Sequence, residues 1–321
     1  MKTKVKARAL VIFLLAALML LSSCGNAIES YKAAEASYKA GDLEAAAEQY
    51  TAAYNASKMD LGMSKVNKDV IAIAYVGKVL GPQGSFLEGA KILEGVDTSN
   101  ESVKKAVDEL YKKYPYLGMS VEGAVVEFGT WEQEPDKAGE EPIEWVVLKV
   151  DKNSDHPKAL LLSTKVIGSI ASRSRTEGNT SYAKSDVHGW CEIEFYKTLN
   201  GDENIKGKIL MINVHTEPSS AGVDSGEDVE AHVFAPSIQD IEEYLDNDTF
   251  RDYIRAQGTP AIKASKYKTK VTSKGFAGYW LRNAGESEGF ASAVTDKGEV
   301  IEGSSTYASH GVRPMMWVSL G

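Results

Sequence analysis

The segment Tyr114-Pro115-Tyr116-Leu117-Gly118 separates two parts of the sequence that have different residue patterns. Residues 27–58 are rich in Ala, Glu, Lys and Tyr, which is typical of helices. From residue 121 onward, β-rich runs alternate with polar loops and a few helical patches, without the regular alternation of a βαβ fold. We therefore predict an α+β protein, with an α-helical module at residues 24–116 and a mixed α+β domain at residues 117–321.

The helical module begins with the pattern of a helix, a turn and a second helix. Residues 27–58 contain no Pro, and Gly41-Asp42 interrupts them once. Asp42 is expected to cap the second helix with its side-chain oxygen. The small residues at which the two helices should approach closely are Ala34, Ala46 and Ala53. The larger side chains expected to fill the space between the helices are Tyr38, Leu43 and Tyr50.

The spacing of these residues resembles the tetratricopeptide repeat, a helix-turn-helix unit of about 34 residues. A weaker second copy, with Gly84, Gly89 and Leu93, begins 43 residues after Gly41. Residues 98–101, Thr-Ser-Asn-Glu, have the pattern of a capping box at the start of a further helix. Because repeat arrays normally contain three or more units, two interpretations stay open for this module: a helical spacer and a peptide-binding groove.

The N-terminus has the pattern of a secretory signal peptide. Residues 1–8 carry four basic residues and no acid, and residues 9–21 are continuously apolar. The apolar run is shorter than the about 20 residues that a membrane-spanning helix needs. Leu21-Ser22-Ser23-Cys24 resembles the lipobox of bacterial lipoproteins, which implies removal of residues 1–23 and acylation of the Cys24 thiol. We expect an extracytoplasmic protein, anchored to the bacterial cell membrane by lipid on Cys24.

The charge balance argues against nucleic acid as a partner. The chain has a formal charge of −9, and removal of residues 1–23 would take away four of its 36 basic residues and none of its 45 acidic ones. Binding to nucleic-acid phosphates requires a positive surface. The expected partners are therefore the membrane and a glycan or protein ligand.

Five motifs follow one another in the second half of the chain: Phe128–Gln133, Pro142–Leu148, Leu160–Ser163, Trp280–Gly285 and Gly311–Trp317. Their residues and their order, across roughly residues 117–320, resemble DUF6273, a family of bacterial surface domains of unknown function. Lys197–Asn200 and Asn283-Ala284 depart from the family pattern. The ending, an aromatic-Arg strand followed by Gly-Val-Arg-Pro, is also similar to C-type-lectin-like domains of the sulfatase-modifying (formylglycine-generating) type, which implies a related fold.

Trp280, Arg282, His310 and Arg313 are the candidate ligand-binding residues of this domain. Arg282 and Arg313 each follow an apolar residue in a Gly-rich loop. A guanidinium group in such a place can bond backbone carbonyls, a carboxylate such as Glu144, or a ligand. The sequence therefore leaves both a structural role and a ligand-binding role open for the two arginines.

The sequence contains no convincing catalytic pattern. Residues 285–289, Gly-Glu-Ser-Glu-Gly, match the nucleophile elbow, but Ser287 and His310 are too close in sequence for the intervening βα units. We expect a polar surface turn there. Cys191 lies beside Trp190 in an apolar segment and is expected to be a buried apolar residue.

Metal and nucleotide motifs are also lacking. Residues 151–155 imitate a calcium loop without its Gly and bidentate Glu, which indicates a hairpin turn. The five histidines show no zinc spacing, and no Gly-rich phosphate loop is present. We expect no cofactor.

These observations favour a lipid-anchored cell-surface binding or adhesion protein that recognises an envelope or host glycan or protein. An enzyme is less favoured. Two alternatives stay open: an extracytoplasmic enzyme with a site assembled from loops, and a helical scaffold for a peptide partner.

Overall fold

The computed structural model describes residues 27–172, 181–306 and 308–321. The predicted signal peptide and Cys24 lie outside these described residues. The chain divides into two compact units, one ending at Leu117 and the other comprising Gly118–Gly321. The first unit is helical and the second is rich in sheet, so the predicted α+β class is confirmed. None of the helices formed by the described residues has the length and apolar character needed to span a bilayer.

The first unit is a succession of short helices. In chain order they are α1 (Ala27–Lys39), α2 (Leu43–Met59), α3 (Lys65–Tyr75, continuing as a π-helical segment Val76–Leu80), α4 (Phe86–Leu93), α5 (Glu101–Lys113) and α6 (Pro115–Met119). The turn between α1 and α2 forms at Gly41, whose φ of 81° is disfavoured for residues with a Cβ. Asp42 caps α2 as predicted, because its carboxylate accepts a hydrogen bond from the Ala45 amide at 3.1 Å.

Small side chains let α1 and α2 pack closely. The predicted contact residues Ala34, Ala46 and Ala53 are all buried, and the Tyr50 ring is buried with them. The prediction that Leu43 fills the interhelical space is wrong, since its side chain is 61% exposed. Leu43 is the first residue of α2, and there its side chain is left outside the helix contact.

The start of α5 differs from the predicted capping box. Asn100 is the cap, and its side-chain oxygen accepts hydrogen bonds from the Ser102 and Val103 amides at 3.0 and 3.4 Å. Because the helix begins at Glu101, Thr98 lies too far back to cap it. Val103, Val107 and Tyr111 form the buried face of α5, as the helical period predicts.

The second unit contains fifteen strands among the described residues. In chain order they are β1 (Val125–Trp131), β2 (Glu141–Asp151), β3 (Lys158–Ser163), β4 (Lys165–Val166), β5 (Gly168–Ala171), β6 (Ile212–Val214), β7 (Val229–Ala231), β8 (Val233–Phe234), β9 (Ala256–Gly258), β10 (Phe276–Ala277), β11 (Tyr279–Ala284), β12 (Phe290–Val294), β13 (Val300–Ser305), β14 (Ser309–Val312) and β15 (Met315–Ser319).

These strands form two larger sheets and two smaller ones. One five-stranded sheet has the order β1-β2-β3-β15-β8 and is antiparallel throughout. The other has the order β13-β12-β11-β14-β5, in which β11 and β14 are parallel. The smaller sheets are β10-β9-β4 and the hairpin β6-β7. Strands β14 and β15 therefore each lie in the interior of one large sheet, and both sheets are complete only when these two strands are in place.

Short helices lie between the strands. They are a 3-10 turn (Tyr182–Lys184), a continuous helical stretch made of α7 (Asp186–Gly189), a π-helical segment (Trp190–Tyr196) and α8 (Lys197–Leu199), then α9 (Ile238–Asp240) with the π-helical segment Ile241–Leu245, a 3-10 turn (Arg251–Tyr253) and α10 (Pro260–Ala264). Helix α9 begins with a reciprocal capping box formed by Ser237 and Asp240.

An aromatic cluster joins the helical stretch to the first sheet. The Trp190 and Phe195 rings stack at 5.1 Å, and Trp131 meets both rings edge-on. Gly168 is required beside this cluster, since a Cβ there would lie 2.7 Å from the Trp190 ring. Cys191 is fully buried next to it, as predicted, and burial raises the pKa of its thiol far above the ordinary value.

Candidate functional site

Arg313 is a fully buried cation that helps to hold the backbone of a surface segment at residues 253–254. Its side chain is 0% exposed. Its Nε donates to the Ser163 carbonyl at 2.8 Å, and its Nη1 donates to the Tyr253 carbonyl. The Tyr279 hydroxyl donates to the neighbouring Ile254 carbonyl at 2.9 Å. Arg313 therefore holds this backbone through Nε and Nη1, whereas its buried Nη2 has no hydrogen-bond partner.

A surface pocket of about 450 Å³ lies against the segment that Arg313 holds. The residues that line it are Arg251, Asp252, Ile254, Arg255, Phe276, Lys297 and Gly298. They come from the 3-10 turn and the residues after it, from β10, and from the turn between β12 and β13. Three of the lining side chains are basic and one is acidic, so the pocket is positive in a chain whose formal charge is −9.

Phe276 fixes the position of Arg255 in the pocket. The guanidinium carbon of Arg255 lies 3.8 Å from the centre of the Phe276 ring, within the range of a cation–π contact. Its Nε donates to the Asp296 carbonyl at 3.4 Å, which leaves the two terminal nitrogens of the fork for other acceptors. Lys297 follows Asp296 directly and is exposed at the pocket. Arg251 is partly neutralised by Asp246 and Asp248, each 3.7 Å away.

Arg282 is also buried, but it contacts different loops. It lies in strand β11 and not in the loop that the sequence had suggested. Its Nη1 forms an ion pair with Asp240 and donates to the Ala235 carbonyl at 2.9 Å. Arg282 Nε donates to Thr216 Oγ1 at 3.2 Å, and its Nη2 donates to the His215 carbonyl at 3.3 Å. The carboxylate suggested by the sequence, Glu144, contacts neither arginine in these bonds and lies 3.5 Å from Lys165 Nζ instead.

Trp280 and His310 are in contact with each other. The Trp280 ring is fully buried, and its Nε1 donates to the Ile170 carbonyl at 2.8 Å. The His310 ring meets it edge-on at 4.6 Å, and His310 Nε2 lies 3.0 Å from Ser304 Oγ. Burial lowers the pKa of His310 below its ordinary value. The structure therefore brings Trp280 and His310 together, whereas Arg282 and Arg313 each hold a different part of the domain.

An exposed histidine lies between two carboxylates on the β6-β7 hairpin. His215 Nδ1 is 2.6 Å from Asp228 Oδ1, and His215 Nε2 is 3.3 Å from Glu217 Oε1. The hydrogen bond to Asp228 is the main cause that raises the pKa of His215, and the same bond lowers the pKa of Asp228. Among the described residues, no group of His, Cys, Asp and Glu side chains has the arrangement of a metal site.

We expect the titration of His215 to depend on Asp228. The pKa of the His215 imidazole, followed by proton NMR, should lie above the ordinary value of about 6.5, and Asp228→Asn should lower it toward that value. A histidine whose pKa is raised by folding stabilises the fold below pH about 6.5, and this contribution is lost as the pH rises through the folded-state pKa. Equal pKa values in the parent and the variant would contradict the assignment.

The remaining sequence motifs have structural roles. Ser287 is exposed in the turn between β11 and β12, and a strand rather than a helix follows it, so the expected surface turn is confirmed. Residues 151–155 lie at the turn between β2 and β3, also as expected. Neither motif contributes to the pocket.

Comparison with known protein families matches residues 157–320 to the domain of unknown function DUF6273. The chain belongs to the DUF6273 family. The matched residues begin later than the start near residue 117 that the motifs suggested, and they include Arg282, Arg313 and all the pocket residues. Strands β1 and β2 precede the DUF6273 match, although they complete its first sheet. No curated protein and no solved structure matches this DUF6273 chain.

Sequence reasoning missed the basic pocket of the DUF6273 domain. Arg251 and Arg255 are four residues apart in a segment with no recognisable motif, and Lys297 is far away in sequence. The one local signal was that Arg251 follows Phe250 directly and that Arg255 lies two residues after Tyr253. The arginines that do stand in motifs, Arg282 and Arg313, are used inside the domain.

Proposed function

We propose that this protein is a lipid-anchored binding protein of the bacterial cell surface, whose DUF6273 domain recognises an anionic group of an envelope or host glycan at the basic pocket. The observation that carries the proposal is the pocket itself, where Arg255 and Lys297 present positive charge in an acidic chain. Carboxylate and phosphate groups are the acceptors that a guanidinium fork binds best.

The size and wall of the pocket suit a sugar ring bearing a negative charge. Its volume of about 450 Å³ lies within the range of small-molecule sites. Arg255 is held against Phe276, so it loses little conformational freedom when it binds. Phe276 and Ile254 add apolar surface, against which the carbon face of a sugar can pack.

The location of the protein and the types of its two modules are part of the same proposal. We propose that Cys24 carries the lipid, that the helical unit is a tetratricopeptide-like spacer, and that the DUF6273 domain is related to C-type-lectin-like domains of the sulfatase-modifying type. The helical relationship is supported by Gly41 and Gly84, which both have positive φ and both precede a helix. A binding domain carried on a spacer reaches ligands beyond the membrane surface.

A binding screen tests the proposal. The full chain is incubated with an array of carboxylated, phosphorylated and neutral glycans and with envelope proteins, and retained ligands are eluted with salt. We expect retention of anionic glycans and loss of retention as ionic strength rises. Retention of neutral glycans alone, or turnover of a substrate without stable binding, would contradict the proposed function.

A further inference from the structure

One end of the helical unit carries exposed apolar side chains. Met59 and Leu61 are 80% and 96% exposed, and Ile28 and Val66 are also exposed; these four residues are called the apolar tip. The turn that follows Met59 and carries Leu61 is ordered by Asp60, whose Oδ1 accepts hydrogen bonds from the Gly62 and Met63 amides at 2.9 and 3.1 Å. The tip is therefore a fixed feature of the fold.

The apolar tip lies at the end of the unit where the described chain begins. Ala27, the first residue of α1, is buried against Ala53 of α2 and Ile71 of α3. Ser37 Oγ donates to Gln49 Oε1 at 2.9 Å near the turn, and Ala27 packs with Ala53 farther from it, so α1 and α2 run antiparallel. Helix α2 consequently continues past the start of α1 and ends at Met59, beyond the level of Ala27.

A short length of chain separates Cys24 from Ala27. Cys24 precedes Ala27 by three residues, and an extended chain spans at most about 3.6 Å per residue. At most about 11 Å of chain therefore joins Cys24 to the first residue of α1. A lipid attached to Cys24 would bring that end of the helical unit to the bilayer surface.

Charge distinguishes the two ends of the helical hairpin. Residues 58–69, which include three of the four tip residues, contain three lysines and two aspartates, and Lys65 and Asp69 form an ion pair. Residues 40–48, at the opposite end, contain three acidic residues and no basic one. Anionic lipid headgroups attract basic segments and repel acidic ones. Exposed apolar side chains flanked by lysines are also the composition of segments that lie in a membrane interface.

We propose that the apolar tip inserts into the headgroup region of an anionic bilayer and so fixes the orientation of the helical unit at the membrane. This inference rests on the lipid anchor of the proposed function, because the anchor selects which end of the unit meets the lipid. The tip adds a second membrane contact to the acyl chains.

The test compares a fluorophore in the turn after α2 with one at the first residue of α2. Leu61→Cys and, as the matched control, Leu43→Cys are made in the full chain and labelled with a nitrobenzoxadiazole maleimide. Both positions are exposed, whereas Cys191 is fully buried and does not compete for the label. The processed chains are reconstituted into phosphatidylglycerol–phosphatidylcholine vesicles with and without brominated lipid, and quenching is compared.

We expect several-fold stronger quenching, with a blue-shifted emission, at position 61 than at position 43. Equal quenching at both positions, or stronger quenching at 43, overturns the inference. The mass of the N-terminal peptide of the same samples reports acylation of Cys24 separately. Acylation with equal quenching leaves the anchor intact and rejects tip insertion. If acylation is absent, the free Cys24 thiol would also take the label, so the comparison is repeated on added vesicles with Cys24→Ser in both chains. Selective quenching at 61 then supports insertion, and its absence rejects it.

Discussion

Replacing Arg282 with methionine is expected to lower the free energy of unfolding of the C-terminal unit by about 3–5 kcal/mol. Stability is lost because the substitution removes the ion-pair partner of Asp240. Asp240 would keep its negative charge in a poorly solvated place, and the Ala235 carbonyl would lose its donor. Chemical denaturation followed by tryptophan fluorescence measures the change, since all five tryptophans lie in this unit.

Asp240→Asn in the Arg282→Met background is the informative second variant. It removes the unpaired charge while keeping a side-chain oxygen that can cap α9. We expect the double variant to be more stable than Arg282→Met alone. Arg251→Met, at an exposed arginine, is the matched control and should change stability by less than about 1 kcal/mol. An equal loss of unfolding free energy in Arg251→Met and Arg282→Met would contradict the role of Arg282 in holding these loops together.

Reversing the charges at Arg255 and Lys297 is expected to weaken binding of an anionic glycan by at least about 100-fold, while leaving the fold intact. Hydrogen bonds to charged groups each contribute about 1.5–3 kcal/mol, so losing two of them gives a change of this order. Both side chains are exposed, and Arg255→Glu/Lys297→Glu should therefore keep the parent unfolding midpoint.

The control for this pair must change the net charge equally. Lys184→Glu/Lys206→Glu does so at two exposed lysines of the same unit that do not line the pocket. We expect at most a small loss of affinity there, removed by moderate salt. If the control pair weakened binding as much as the pocket pair, the binding would follow overall charge, and the pocket would not be the site.

Local features of the fold were predictable from the sequence because they depend on neighbouring residues. Asp42 caps α2, and Ser237 with Asp240 caps α9, because both caps are set by side chains within three or four positions. Strand β15 is also recognisable locally, because the run Met315–Ser319 contains Trp317 and Val318, whose side chains favour strands. Leu43 shows the limit, since its exposure depends on where the partner helix ends.

The site was not predictable because its partners are distant in sequence. Arg282 pairs with Asp240, which lies 42 residues away, and Arg313 bonds a carbonyl 60 residues away. The sequence showed that both arginines need acceptors, and it named Glu144, which is not the partner. The pocket residues Arg255 and Lys297 meet only because the strands of two different sheets bring their turns together.

The most direct test of the binding role is a crystal structure of the chain with an anionic glycan that the screen retains. The account predicts that a carboxylate or phosphate oxygen lies within hydrogen-bond distance of both Arg255 and Lys297, with a sugar face against Phe276. A glycan bound at another surface, with this pocket empty, would contradict it.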